Sequence, residues 1–263
     1  MARGSPVTVT IDLNADLGEG FGAWRMGDDE AMLDLVTSAN VACGYHAGDP
    51  DIMARCFTLA KARGVAIGAH VSFPDLAGFG RRRIPYSAAE VERLVAYQIG
   101  AAQALALYSG HRLTYVKCHG ALANVAEIEP EIALAVARAM RAVDPGLTLL
   151  AIARSEQVAA AEHAGVAIAH EVFADRAYLD DGRLKSRSQK GAVIEDPDWA
   201  AARAVNMLSE QAIVTESGKR LPTPIDSICV HGDTAHAVEM TRRLRAALER
   251  AGYQLLPFAP SQA

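Results

Sequence analysis

Five stretches of the chain place hydrogen-bonding or ionisable residues just after an apolar run that reads as a strand. They are Asp12-Leu13-Asn14-Ala15-Asp16, Asn40 through His46, His70-Val71-Ser72, Lys117-Cys118-His119 and His231-Gly232-Asp233. Such residues can move protons, hold an anion or bind a divalent metal. Side chains alternate along a strand, so Asp12, Asn14 and Asp16 share one face. Asp12 reads as a structural hydrogen-bonding group. Asp16, just past the expected strand end, reads as a general base or a cation holder. His46 sits between Gly44 and Gly48, which permit tight turns, and Asp49 can cap the helix that follows. Lys117 and His119 also share a face. An ammonium beside an imidazole could hold a carboxylate or phosphate while the imidazole moves a proton. Cys118 then points into packing rather than serving as a nucleophile. His231 and Asp233 share a face too, although Asp233 also reads as a helix cap. His46, His70 and His119 with Asp16 could form a mononuclear metal site; proton transfer and anion recognition remain alternatives.

Other chemistries lack their motifs. There is no H-E-x-x-H helix, no G-x-S-x-G elbow and no G-x-G-x-x-G fingerprint. The turn Gly18-Glu19-Gly20-Phe21-Gly22 lacks the Lys-Ser/Thr of a P-loop.

These clusters need a scaffold that gathers strand ends. Strands are expected at Val7–Leu13, Ser38–Ala42, Val65–Ala69, Leu113–Lys117, Leu147–Ala151, Val166–Glu171 and Ile225–Val230, with a weak eighth at Leu255–Phe258. Helices are expected at Asp29–Ser38, Asp51–Arg63, Ala88–Leu107, Pro130–Val143, Glu156–His163, Asp198–Thr215 and Ala235–Ala251. Ser87 with Glu90 forms a capping-box pattern. Short helical crossovers imply parallel strands, and polar strand ends then meet at one mouth. The expectation is a single α/β domain over residues 1–263, a (β/α) barrel of seven strands, distorted or incomplete. Two long polar loops, Phe73–Tyr86 and Ala174–Pro197, suit a lid or a partner surface.

Composition agrees with an enzyme-sized core. The chain has 263 residues, 51% of them hydrophobic, and a formal net charge of −5. It carries no basic footprint for nucleic acid, and Arg81-Arg82-Arg83 is its only dense basic run. The absence of a leader-like or membrane-spanning apolar stretch leads to an expected cytoplasmic location with no membrane partner. Cys43, Cys56, Cys118 and Cys229 form no C-x-x-C pair and read as reduced thiols.

At these residues the chain resembles the LamB/YcsF family. The matching segments run from Asp12 to Gly22, Ala39–Pro50, Gly68-Ala69-His70, Pro74-Asp75 with Gly78 through Arg82, Lys117 with His119 through Leu122, Phe173 through Tyr178, and Val230 through Asp233. Cys118 and Ala123 stand where the family usually has Pro and Tyr, and Val71 stands where Pro is common. The resemblance implies a seven-stranded barrel like those of glycoside hydrolases and polysaccharide deacetylases. It also implies opening of the 5-oxo-L-proline lactam to L-glutamate with ATP as co-substrate, together with Mg, in a complex with subunits B and C. Under that reading Asp16, Lys117 and His119 are the expected catalytic residues. Asn14, His46, His70, Arg82 and His231 are expected to contact substrate, with Lys117 and Arg82 holding an anionic group. The rival readings are a stand-alone metal-dependent carbohydrate amide or acetyl hydrolase, and a non-catalytic lactam-binding subunit.

Overall fold

Parallel strands joined by helices must cover both faces of their sheet, so a polar inner face demands a closed and specialised interior. The computed structural model describes residues 9–231 and 236–258. In chain order its strands are β1 (Thr10–Leu17), β2 (Ser38–Ala42), β3 (Ala66–Val71), β4 (Leu113–Cys118), β5 (Thr148–Ile152), β6 (Ala167–Phe173), β7 (Ala212–Val214), β8 (Arg220–Pro222), β9 (Ser227–Val230) and β10 (Gln254–Leu255). The helices are α1 (Asp29–Leu33), α2 (Pro50–Arg63), α3 (Ala88–Tyr108), α4 (Gly120–Ile128), α5 (Pro130–Val143), α6 (Glu156–Ala164), α7 (Pro197–Glu210) and α8 (Ala237–Arg250).

Strands β1 to β6 pair in sequence, all parallel, and β9 pairs with both β6 and β1. The result is the expected closed seven-stranded barrel, distorted by a register shift between Ile67 and Gly68. Strand β10 does not enter the ring. It pairs with Thr10 and Ile11 at the start of β1, while β9 takes Asp12 to Ala15.

Outward residues such as Leu13, Val41, Ile67, Val116, Leu149, Val172 and Ile228 are buried in one apolar shell with the helices. Helix α5 contributes Ile132, Val136 and Met140, four residues apart and hence on one face. Truncating Met140 to alanine there would cost about 2–5 kcal/mol. The capping box forms, with Glu90 Oε2 accepting from the Ser87 amide at 2.8 Å.

The interior is layered. At its foot Tyr115, Leu150 and Ala169 pack with Phe258 as a small separate apolar plug. Above the start of β1, Asp12 accepts hydrogen bonds from Thr37 and Ser38 hydroxyls at 2.6 Å each, and from Ser227. Burial pushes its carboxyl up to about 6 despite those hydroxyls. This is the structural role read for Asp12. Asn14 and Asp16 follow it on the same inner face, as alternation requires.

Several boundaries differ from expectation. The helix expected over Asp198–Thr215 stops at Glu210, where Gln211 adopts a left-handed conformation with φ 48°. The β-branched run that follows forms the β7–β8 hairpin instead, antiparallel and outside the barrel. Helix α4, not anticipated, begins directly after β4. Helix α1 is a short turn, and the chain re-enters the barrel at Ser38. Residues Val7, Gly232, Asp233 and Ala235, which carried expectations, lie outside the described residues. Among the described residues, no helix is long and apolar enough to cross a membrane.

Candidate active site

Lys117 leaves the end of β4 pointing into the barrel, where its side chain is only 5% exposed and protein groups surround its ammonium. Its Nζ lies 3.0 Å from Asp16 Oδ1, 2.8 Å from Glu171 Oε1, 3.3 Å from Asn14 Oδ1 and 3.1 Å from Cys229 Sγ. These partners come from β1, β6 and β9, three strands distant in sequence. Burial alone would lower the lysine, but the Asp16 carboxylate, with help from Glu171, holds it well above its ordinary value. Burial would likewise raise Asp16. The neighbouring His70, when it carries a second proton, and the Lys117 ammonium outweigh it and hold Asp16 well below the usual carboxylate range. At Glu171 burial wins over Lys117 and the carboxyl is raised. The Lys117–Glu171 contact is close but lacks hydrogen-bond directionality, so both Glu171 oxygens are buried without a directed partner. One ammonium therefore joins two carboxyl groups of opposite proton affinity.

A histidine group stands beside this triad. His70 Nδ1 faces the Lys117 carbonyl at 3.3 Å, and its Nε2 lies 3.3 Å from Asp16 Oδ2 and 3.0 Å from His119 Nδ1. His119 Nε2 faces the Phe79 carbonyl at 2.9 Å. His46 stacks on His119 with centroids 3.7 Å apart and planes 8° from parallel. Glu19 Oε1 reaches both, at 3.6 Å from His46 Nε2 and 3.7 Å from His119 Nδ1. Burial holds His46 and His119 well below the ordinary imidazole value, reinforced by the neighbouring histidines. Donor atoms of Glu19, His46, His70 and His119 all lie within 4.8 Å of one another, so these residues could hold a metal ion. Gly80 closes over the group. A Cβ there would come within 2.7 Å of His46 and 2.9 Å of His119, so any larger residue would displace the imidazoles.

Above both groups is a cavity of about 600 Å³, lined by Asp16, Lys117, Glu171, His70, His119 and His231 among others. That volume suits a small-molecule ligand. The loop between β6 and α7 supplies one wall, including Arg176, Arg183, Lys185 and Arg187, and Arg81 joins from the loop after β3. Arg176 is buried with its guanidinium donating to the carbonyls of Ala192 and Lys185, not to a carboxylate. His231 Nδ1 is tied to Asp175 Oδ2 at 2.8 Å, and its ring stacks on Phe173.

Asp16, Lys117, His70, His119 and His231 thus meet at one cavity, with His46 packed behind His119. Asn14 lies below them, fully buried, donating to Ser227 Oγ at 2.7 Å. Arg82 does not join them. Its guanidinium pairs with Asp75, and its side chain is 66% exposed. Arg81 is the member of the basic run that reaches the cavity. The carboxylate beside the three imidazoles is Glu19, where Asp16 was expected, and Asp16 instead bridges His70 and Lys117. Glu171 and Cys229 were not among the expected site residues. Their only signal was an inward position at the ends of β6 and β9.

The architecture and the pocket together define a parallel (β/α) barrel protein with an ionised, histidine-rich interior at the carboxyl ends of its strands. The chain belongs to the LamB/YcsF family, whose model matches residues 11–263. It is 59% identical over 251 residues to the 5-oxoprolinase A subunit of Azorhizobium caulinodans, covering 95% of this chain and 99% of that one. It is 58% identical over 243 residues to the 5-oxoprolinase A subunit of Gluconobacter oxydans, covering 92% and 96% respectively. The crystal structure of a lactam utilization protein from Thermus thermophilus superposes with a TM-score of 0.90 at 43% identity, covering 95% of this chain and all of that one.

Proposed function

We propose that this chain is the A subunit of an ATP-dependent 5-oxoprolinase and opens 5-oxo-L-proline to L-glutamate together with B and C subunits. The observation that carries this reading is the near-full-length identity, 59% and 58%, to proteins named for that activity. The cavity supports it, being of small-molecule size with proton-handling groups at its floor and cations on its wall.

Lactam opening needs outside driving force. The product's amine and carboxyl stay tethered, and well-oriented intramolecular partners show effective molarities of ~10⁵–10⁸ M. Transfer of the ATP γ-phosphoryl group to the lactam oxygen, releasing ADP, would give an activated phospho-imidate. One water then adds to that carbon and loses a proton. The ring C–N bond breaks as the nitrogen gains a proton, leaving an acyl phosphate. A second water releases phosphate and glutamate.

We match residues to these demands as follows. Asp16, anionic beside Lys117, accepts the proton from water. Glu171, whose carboxyl is raised, protonates the departing nitrogen. Lys117 lies between both carboxyl groups, so it positions them and balances their charge, and anion recognition falls to cations of the cavity wall such as Arg187. His231, held by Asp175, orients substrate.

The test is glutamate formation from 5-oxoproline, with and without ATP, by the chain alone and mixed with candidate B and C subunits. Turnover only with ATP and partners is expected. ATP-independent deacetylation of a carbohydrate amide, with no glutamate formed, would overturn the reading in favour of a stand-alone hydrolase.

A further inference from the structure

The two histidines that face each other across 3.0 Å have their tautomers set by the backbone. A carbonyl oxygen can only accept, so the Lys117 carbonyl fixes the proton of His70 on Nδ1, and the Phe79 carbonyl fixes that of His119 on Nε2. The remaining nitrogens, His70 Nε2 and His119 Nδ1, then point lone pairs at each other. Glu19 Oε1 adds another acceptor 3.7 Å from His119 Nδ1. Two imidazole lone pairs facing each other in a buried space repel one another unless a cation lies between them.

A shared proton could join His70 to His119. It would do nothing for His46, which is 1% exposed and whose two ring nitrogens have no hydrogen-bond partner. An unsatisfied buried nitrogen is costly and calls for a cause. His46 Nε2 lies 3.6 Å from Glu19 Oε1, and a ring nitrogen of His46 lies within 4.8 Å of donor atoms of Glu19, His70 and His119.

We infer that Glu19, His46, His70 and His119 bind one divalent first-row transition-metal ion of the imidazole-preferring class, such as Zn²⁺. Tetrahedral ligands about 2.0–2.1 Å from a zinc ion lie roughly 3.4 Å from one another. The separations 3.0, 3.6 and 3.7 Å bracket that spacing. Three neutral imidazoles and one carboxylate match the ligand softness such ions favour. Second-sphere carbonyls on His70 and His119 are the usual means of orienting metal-bound imidazoles. Asp16 Oδ2, 3.3 Å from His70 Nε2, borders the site on the cavity side and connects it to the Lys117 triad. The inference does not rest on the lactam reading: the same site would serve any reaction in this cavity.

The experiment uses the full-length chain, purified without a histidine tag, stripped with chelator and dialysed. Titration with ZnCl2 is followed by calorimetry and by thermal melting, and metal content is measured after gel filtration. One equivalent of tightly bound Zn²⁺ and a raised melting temperature are expected. His46→Ala and Glu19→Gln should each weaken binding at least ~10-fold, a loss typical of disturbing a metal's ligand environment. His163→Ala, at an exposed helix position, should leave binding unchanged. Should the two site variants fail to fold, Co²⁺ added to the wild-type chain decides: visible d–d bands of a four- or five-coordinate nitrogen and oxygen site are expected. Absence of saturable Zn²⁺ binding below roughly 100-fold molar excess, or affinity unchanged in folded His46→Ala and Glu19→Gln, overturns the inference.

Discussion

Lys117 Nζ lies 3.0 Å from Asp16 Oδ1, and the same nitrogen lies 2.8 Å from Glu171 Oε1. One cation therefore compensates two buried carboxyl groups. Lys117→Met removes it and leaves both facing a low-dielectric interior. Breaking a buried pair in this way costs about 3–5 kcal/mol. Urea unfolding should show that loss, and Lys117→Met/Glu171→Gln should recover at least ~1 kcal/mol because the second change removes one stranded acid. Equal stability of the single and double variants would show that Glu171 does not depend on Lys117.

Asp16 and Glu171 are assigned opposite proton-transfer roles, and their amides test this. Asp16→Asn and Glu171→Gln preserve shape while removing the carboxyl group that takes up or gives the proton. In the ATP-dependent glutamate assay with partner subunits, kcat should fall about 10²–10⁴-fold for each. KM for 5-oxoproline should change little, because the cationic wall is untouched. A large KM increase with unchanged kcat would reassign the residue to substrate binding.

The barrel was legible because alternation along a strand has only two faces. Asp12, Asn14 and Asp16 had to share one, as did Lys117 and His119, and the parallel crossovers had to bring those strand ends to a common mouth. Residues beyond a strand end escape this rule. Glu19 follows β1 in a glycine-rich turn, and no periodicity says that the turn carries its carboxylate back to His46 and His119. In the run Arg81-Arg82-Arg83, a loop with a short 3-10 turn at Leu76–Gly78 directs Arg82 to Asp75 while Arg81 reaches the cavity. Glu171 was visible as a strand-end acid. Its depth and its pairing with Lys117 depend on β4 and β6 flanking β5 in the curved wall of the barrel, which is a tertiary fact.

Asp12 makes stability depend on pH with a definite sign. Burial raises its folded-state carboxyl to about 6, above the unfolded value. Between roughly pH 4 and 6 the folded chain holds a proton that the unfolded chain has released, so this residue's contribution falls as pH rises and levels off above 6. The shift corresponds to about 3 kcal/mol. Asp12→Asn cannot titrate yet still accepts from Thr37 and Ser38. The unfolding free energy of wild type minus that of Asp12→Asn should therefore fall by about 2–2.5 kcal/mol from roughly pH 4 to pH 7. A flat difference would show that the hydroxyls of Thr37, Ser38 and Ser227 fully offset the burial.

Gly68 and Tyr115 are register partners on β3 and β4, and a Cβ on Gly68 would stand 2.2 Å from the tyrosine ring. The glycine thus makes room for the largest side chain of the barrel's apolar plug, whose hydroxyl donates to Asn40 Oδ1 at 2.7 Å. Asn40 in turn donates to Asp16 Oδ1 at 2.8 Å, so the plug supports the floor of the cavity. Gly68→Ala should destabilise by about 1–3 kcal/mol, the usual penalty for overpacking. Tyr115→Leu frees the space but abandons the bond to Asn40, so it carries its own cost. In Gly68→Ala/Tyr115→Leu the alanine should add little further loss, whereas simple additivity of the two single changes would show that the methyl group clashes with something other than the ring.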